Sequence, residues 1–363
     1  MSSKLLLDLT LGSEKVGMVI SLLFNVILFF LLVYKTNPNF GGYKHLMLCY
    51  TVIEMVYSIV GFSASSAAHS TNQTYIVFRY YNGPDRTIGP IFILQYCTAI
   101  FVLLLILSVH FVYRYVAVCD SSRLWLFNGK RLGYWVFGAI FMGVFASTLK
   151  YFFLGENPIS TEHLRPIILE HYNLTMDQII YNGPIYNVCD SNNKCGTSWS
   201  VWFVTVVIIG SLINCLFLMT VSGYLTYSNL SKNTFEMSTK TRSLQNQLFI
   251  ALLIQSVIPI IFMYIPIALL FTSPIFGYSF GAYGNITMIC IAIYPPLDQL
   301  AVMFIIRDFR DTIKQFVGLK KDKPSLTISN SKVSDSSKAA TYTATEEPSA
   351  TVEPSAAENN TTS

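Results

Sequence analysis

The run SLQNQLFIALLIQSVIPIIFMYIPIALLFTSPIFGYSFGAYGNITMICIAIYPPLDQLAVMFII, residues 243–306, holds 64 residues without a single Lys or Arg. A helix crossing the hydrocarbon layer needs about 20 apolar residues at about 1.5 Å each. The run is long enough for two crossings, and the glycine-rich stretch FGYSFGAYG (276–284) divides it. Similar gaps occur upstream: Val16–Tyr34 gives 19 residues without a formal charge, Thr87–Tyr113 gives 27 and Cys195–Ser231 gives 37, each taken as one span. Two further spans complete a set of seven, Leu46 to Ala68, which contains Glu54, and Leu132 to Phe153, which contains Lys150 near one end. The expected architecture is an all-α integral membrane bundle with spans at about 16–34, 46–68, 88–113, 132–153, 200–224, 248–271 and 286–306.

Composition points the same way. Of 363 residues, 52% are hydrophobic and only 12% charged, against about 25% charged in soluble domains. The net charge of +4 is far from the clustered basicity of a nucleic-acid binder. No Gly-x-Ser-x-Gly, His-Glu-x-x-His or P-loop pattern occurs and the five histidines are scattered, so neither an enzyme nor a cofactor is expected. His163 and His171 each follow a glutamate but lack a third ligand at metal-binding spacing.

The distribution of Lys and Arg orients the bundle. With the amino terminus outside, the inner segments carry 14 Lys and Arg against 7 outside. Residues 1–15 then form a short extracellular tail without the apolar run of a cleavable signal. Asn72-Gln73-Thr74 and Asn173-Leu174-Thr175 are glycan acceptors on the outer side, whereas Asn285-Ile286-Thr287 sits at a span start, where a transferase hardly reaches. Only Cys189 and Cys195 occur in an oxidising loop, and a local bridge between them is expected, with two free thiols as the competing reading. The long loop 155–198 contains Ser160-Thr161-Glu162-His163, which reads as a capped, short amphipathic turn limited by Pro166, a candidate lid over the bundle. Past Ile306, Phe309, Ile313, Phe316 and Val317 recur at helical spacing among basic residues, giving an amphipathic helix at 307–321 on the inner leaflet. Residues 322–363, rich in Ser, Thr, Ala and Pro, form a disordered cytoplasmic tail with many candidate phosphorylation sites.

Two acids stand inside the spans, Glu54 ten residues after Lys44 and Asp298 nine before Arg307, at the same depth. With no Lys or Arg at that level, they stay protonated, share a proton or hold a cation such as sodium. Pro259 and Pro266 place two kinks in the sixth span, and Pro295 with Pro296 breaks the seventh, as suits a bundle that switches.

Four segments carry a family resemblance: GGYKHLM (41–47), HFVYRYVAVC (110–119), KTRSLQNQLFIALLIQSVIPIIFMYIP (240–266) and IYPPLDQLAVMFIIRDFRDTI (293–313). They resemble the str family (class r) of nematode serpentine chemoreceptors, the family that includes the diacetyl odorant receptor, over nearly the whole chain up to the tail. The resemblance implies a G-protein-coupled receptor in the plasma membrane of chemosensory cilia, detecting a small odorant. It places Arg114 and Tyr115 at the G-protein end of the third span, with Tyr113 where rhodopsin-like receptors carry an acid. The salt bridge that restrains the arginine elsewhere is thus missing, and another group must supply the restraint. Lys240 and Arg242 of the third inner loop, with Arg307 and Arg310, complete the expected coupling surface. An arrestin-type regulator is an expected partner of the tail. Gln299 stands where the family usually has proline.

The ligand-site residues come from composition: Gln95, Tyr96, Trp199, Trp202, Tyr264 and Tyr283, each an aromatic or amide with a polar handle near the outer half of the bundle. The absence of charge there suggests an uncharged ligand. The competing function class is a seven-span transporter or channel using Glu54 and Asp298 as ion-relay groups, although spans one to three show no repeat in spans five to seven.

Overall fold

A computed structural model describes residues 3–36, 40–81, 86, 88–189, 195–232 and 239–318. Seven of its helices are long and apolar enough to cross a membrane. They are α1 (Ser3–Tyr34), α2 (Tyr43–Ala64), α3 (Gly89–Cys119), α4 (Lys130–Leu154) and α6 (Trp199–Lys232), then a sixth span built of α7 (Thr239–Pro259) and α8 (Ile265–Thr272), and α9 (Asn285–Ile305). The short helix α5 (Pro158–Tyr172) lies between the fourth and fifth spans, and α10 (Arg307–Phe316) follows the seventh. The tail from 322 lies outside the described residues.

The segment expected as a short tail is not a separate one: the chain is helical from Ser3, so residues 3–15 are part of the first helix. Its buried residues Thr10, Glu14, Gly17, Ser21, Asn25 and Leu28 recur every three or four positions, so one face turns a polar stripe into the bundle. Ser21 Oγ meets Ser58 Oγ of α2 at 2.6 Å, and Asn25 Nδ2 donates to the Ser21 carbonyl at 2.9 Å. These bonds pair donors where lipid would offer nothing, while Asn25 Oδ1 is left unpaired among the described residues.

The prolines of α9 do not break it, a correction; the helix runs through Pro295 and Pro296. Each proline lacks the N–H that would bond the carbonyl four residues earlier, which frees the oxygens of Ile291 and Ala292. Tyr57 Oη of α2 donates to Ile291 O at 3.1 Å. The Ala292 oxygen faces Gly17 of α1 so closely that a methyl built there would sit 2.5 Å from it. Glycine at 17 lets the two backbones meet over that oxygen. In the sixth span Pro259 is followed by a π-turn, Ile260–Tyr264, and Pro266 begins the next helical segment. The two expected kinks are therefore one wide turn held between two prolines.

The loops on the amino-terminal face fold into a lid. Strands β1 (Ser66–Ser70) and β2 (Tyr75–Tyr80) form a hairpin, and β3 (Ile179–Asn182) adds antiparallel to β2. In the hairpin turn Thr71 Oγ1 accepts the N–H groups of Gln73 and Thr74, a local bond that competes well with regular structure. Arg86 ties the lid to the fourth span: it forms an ion pair with Glu156 at 3.1 Å and donates to the carbonyls of Met176 and Ile179 at 3.0 and 2.8 Å. The α5 segment is longer than the expected turn. Its cap is Asn157, whose Oδ1 accepts from Ser160 N at 2.9 Å, and Pro166 is carried inside the helix. Two short strands, β4 (Asn187–Cys189) and β5 (Cys195–Thr197), pair with Cys189 opposite Cys195. Opposed positions of an antiparallel ribbon have the backbone spacing a disulfide needs.

Candidate functional site

Beneath the lid, side chains of α3, α4, α6, α8 and α9 enclose a cavity of about 60 Å³ roofed by Val77 of β2. By comparison with a cavity of about 150 Å³ that takes a benzene-sized molecule, it is a site for a very small ligand. Its wall is almost wholly apolar, with Ile100, Phe101, Ile208 and Met288 among its residues. Of the expected ligand residues, Tyr96 lines it. Tyr264 is buried in the π-turn near the bundle axis with its hydroxyl unpaired, and Trp202 packs on Tyr186 with ring centroids 5.2 Å apart. The other three are corrected. Gln95 is exposed, because neighbouring helical residues differ by about 100° and only one of Gln95 and Tyr96 can face inward. Trp199 is 81% exposed at the start of α6 and Tyr283 is 53% exposed in a turn, positions typical of interface aromatics.

Two charged residues missed as site residues stand here. Lys150 is 6% exposed and lines the cavity, its Nζ donating to Cys97 Sγ at 3.0 Å. The pocket is therefore not free of charge, contrary to the sequence expectation. Glu14 is buried beside Tyr57 and Tyr96 in a smaller cavity, accepting from Ser66 N at 3.3 Å while its Oε2 is unpaired. The signal for Glu14 was its register with Ser21 and Asn25 on one helix face.

Midway through the bundle, Glu54 and Asp298 converge. Tyr294 Oη donates to Glu54 Oε1 at 3.3 Å and lies 2.6 Å from Tyr50 Oη, while Gln255 Nε2 donates to Asp298 Oδ2 at 3.1 Å. Glu54 Oε2 and Asp298 Oδ1 have no hydrogen-bond partner among the described residues, and the two carboxyls are neighbours. One shared proton would satisfy both oxygens. Gln299, in the position the family usually gives to proline, is fully buried with neither amide atom paired.

At the far end of α3, Arg114 is 1% exposed. Its Nη1 donates to Gln245 Oε1 at 2.8 Å and its Nη2 to Gln245 O at 2.7 Å, both on α7, and its guanidinium lies 5.2 Å from the Tyr43 ring. Tyr113 sits between Tyr43 and Phe127, at 5.3 and 5.2 Å. The restraint that an acid at 113 would supply comes instead from span six. Tyr115 is half-buried alongside. Arg307 N donates to Gln247 Oε1 at 3.0 Å and Arg310 to Phe304 O at 3.3 Å, which sets α10 against the same end of α7. The side chains of Lys240 and Arg242 lie outside the described residues.

A staple holds the lid. His69 Nδ1 is 3.1 Å from Tyr172 Oη, which accepts from Asn285 Nδ2 at 3.1 Å, and Asn285 Oδ1 accepts from Ala68 N. Asn285 is thus fully committed, while Asn72 and Asn173 are exposed on the same face. Burial, helped by the neighbouring His171, lowers the His69 pKa to about 4. An unfolded histidine titrates near 6.5, so between pH 6.5 and 4 the unfolded state binds more protons and the fold loses stability as pH falls. The loss is on the order of 3 kcal/mol at the acid end. Thermal unfolding of the wild type should drop steeply across that window, and His69→Phe should flatten the drop; parallel profiles would show that the staple does not titrate.

Comparison with known proteins agrees with this geometry. Residues 12–314 match the family model described as serpentine type 7TM GPCR chemoreceptor Str. Serpentine receptor class r-10 of Caenorhabditis briggsae is 31% identical over 334 residues, 88% of this chain and 94% of that relative. The protein of the same name in Caenorhabditis elegans is 30% identical, over 89% and 95%. G-protein coupled receptor str-217 of Caenorhabditis elegans is 27% identical, over 84% and 88%. Seven spans, a lidded cavity and an arginine latch between spans three and six thus occur on a chain that belongs to the Str family of serpentine chemoreceptors, multi-pass membrane proteins of the G-protein-coupled type.

Proposed function

We propose that the chain is an olfactory receptor that binds a small odorant in the lidded cavity and activates a heterotrimeric G protein from the Arg114 end of the bundle. The observation that carries the reading is the largely apolar, partly enclosed cavity among α3, α4, α6, α8 and α9, next to the π-turn of the sixth span. A small ligand wedged against α8 bears on that turn. Motion of the sixth span bears in turn on Gln245, the partner of Arg114. The acid pair lies between the two as a hydrogen-bonded junction rather than as the relay of a transporter, since its donors are tyrosine and amide side chains of the bundle core.

In this reading the amino terminus, the lid, glycans on Asn72 and Asn173 and a Cys189–Cys195 bridge are extracellular. Arg114, Lys240, Arg242, Arg307 and Arg310 face the cytoplasm, and the tail after 321 meets an arrestin-type regulator. The setting is the ciliary membrane of a chemosensory neuron. The test is a cyclic-nucleotide or calcium response in cells expressing the full chain. Ile208→Trp, which fills the cavity, should right-shift the odorant dose response by about 30-fold or more, as steric loss of a small-ligand site requires. Val206→Trp, on the exposed face of the same helix, should leave it unchanged. Equal behaviour of the two variants would place the ligand elsewhere.

A further inference from the structure

We propose that Lys150 makes the cavity selective for a short-chain carboxylate, whose anionic head the lysine receives while the alkyl tail lies along the apolar wall. The inference rests on the cavity being the ligand site, and it names the ligand class that site takes.

Lys150 is a buried amine with no carboxylate against it among the described residues. The ion pairs among the described residues join Arg86 to Glu156, Arg123 to Asp120 and Arg165 to Glu162, and none involves Lys150. Among the described residues its Nζ has one hydrogen-bond partner, the Cys97 sulfur. An ammonium has three protons to donate, and a thiol is a weak acceptor, so most of the donor capacity is unmet. Burying such a group is costly unless an anion or several strong acceptors complete it. Cys97 and Lys150 both line the cavity, so the space in front of the headgroup is the ligand space itself.

The lysine is also fixed in place. Its carbonyl accepts from Asn182 Nδ2 of β3 at 3.1 Å, which anchors that turn of α4 to the lid. One turn earlier, Thr98 Oγ1 donates to Ser147 Oγ at 2.7 Å, clamping α4 to α3. Those anchors fix the helix backbone from which the lysine stem projects, and the headgroup itself rests on Cys97. The cavity is small and only partly closed, so the acid must be short: two oxygens at Lys150, the chain along Ile208 and Met288. A neutral ketone of the same length fills the same volume but supplies one weaker acceptor and leaves the charge unpaired.

The experiment uses the full chain purified into lipid nanodiscs, with butyrate and 2-pentanone as matched probes and binding read as a ligand-dependent rise in thermal stability. Butyrate should bind the wild type and lose affinity by about 30-fold or more in Lys150→Met, as removal of one partner of a buried charged contact does. Lys150→Arg should retain most of the binding, and 2-pentanone should change little between wild type and Lys150→Met. Equal butyrate affinity in wild type and Lys150→Met, or a wild type that binds the ketone and not the acid, overturns the lysine assignment. Undiminished binding of both probes in Ile208→Trp overturns the cavity reading beneath it. Loss of both probes in that variant, with the lysine variants unaltered, leaves the cavity standing and removes only the carboxylate.

Discussion

Replacing Gln245 with leucine is expected to switch the receptor on without ligand. Arg114 donates to the Gln245 side chain and carbonyl, and those two bonds tie α3 to α7 at the end of the bundle where Tyr113 offers no acid. A hydrogen bond to a charged group contributes about 1.5–3 kcal/mol, and the leucine variant removes the side-chain bond. If the inactive arrangement loses about 2 kcal/mol and the active one loses nothing, the active population rises by about 30-fold. Ligand-free cyclic-nucleotide or calcium signalling should rise accordingly at equal surface expression. Gln245→Glu should have the opposite effect, because it places a carboxylate against a buried guanidinium and strengthens the latch. Arg114→Ala should abolish coupling while leaving odorant binding intact, since the cavity lies near the opposite end of α3. Unchanged basal activity in both Gln245 variants would show that Arg114 is held by the fold and released by nothing at position 245.

The second large effect is expected at the paired acids. Asp298→Ala removes the acceptor of Gln255 Nε2 at the centre of the bundle, beside a Glu54 oxygen that is itself unpaired. Removing one member of a buried polar pair costs about 3–5 kcal/mol, enough to lower the unfolding temperature by several degrees and to reduce surface expression. Asp298→Asn and Glu54→Gln each place an amide donor where the shared proton would sit, so either alone should be close to neutral. Together they set two amides face to face, and a double-mutant cycle should return a coupling of about 1–3 kcal/mol. Additive thermal stabilities would mean that the two carboxyls do not share a proton.

The seven crossings were legible because charge is scarce and its gaps are as long as a bilayer is thick. The ends of those crossings were not. Glu14 and Lys15 looked like the boundary of a tail, yet Glu14 is buried against Ser66 while Lys15 is exposed to the surroundings. A charge count cannot separate two neighbours that face opposite ways on a helix. Lys150 failed for the same reason, read as an end marker when its headgroup lies in the cavity wall. The acid pair was readable from depth alone, whereas its donors Tyr50, Tyr294 and Gln255 come from three helices and only packing could assemble them. The long fourth-to-fifth connection was recognisable as a candidate lid, but the sheet its β3 joins was not: SAAHS (66–70), between the second and third spans, has no alternation of apolar and polar residues, because both of its faces are buried. Tyr113 announced that the arginine lacked its usual acid. That Gln245, 131 positions downstream, would replace it depended on how α3 and α7 cross.

The register of the lid sheet also orders the protein's assembly in time. Strands β1 and β2 are neighbours in the chain and can pair as soon as both emerge, but β3 follows β2 by about 100 residues, with Val77 paired to Asn182. At about 5–20 residues per second, the ribosome supplies the third strand roughly 5–20 s after the second. During that interval two complete membrane helices must be threaded, and the free edge of β2 is an unsatisfied template for other chains. Slow insertion of the third or fourth span would therefore show itself first as aggregation through Tyr75–Tyr80, before any defect in the bundle. Export from the site of synthesis then serves as a readout of whether that last strand has docked.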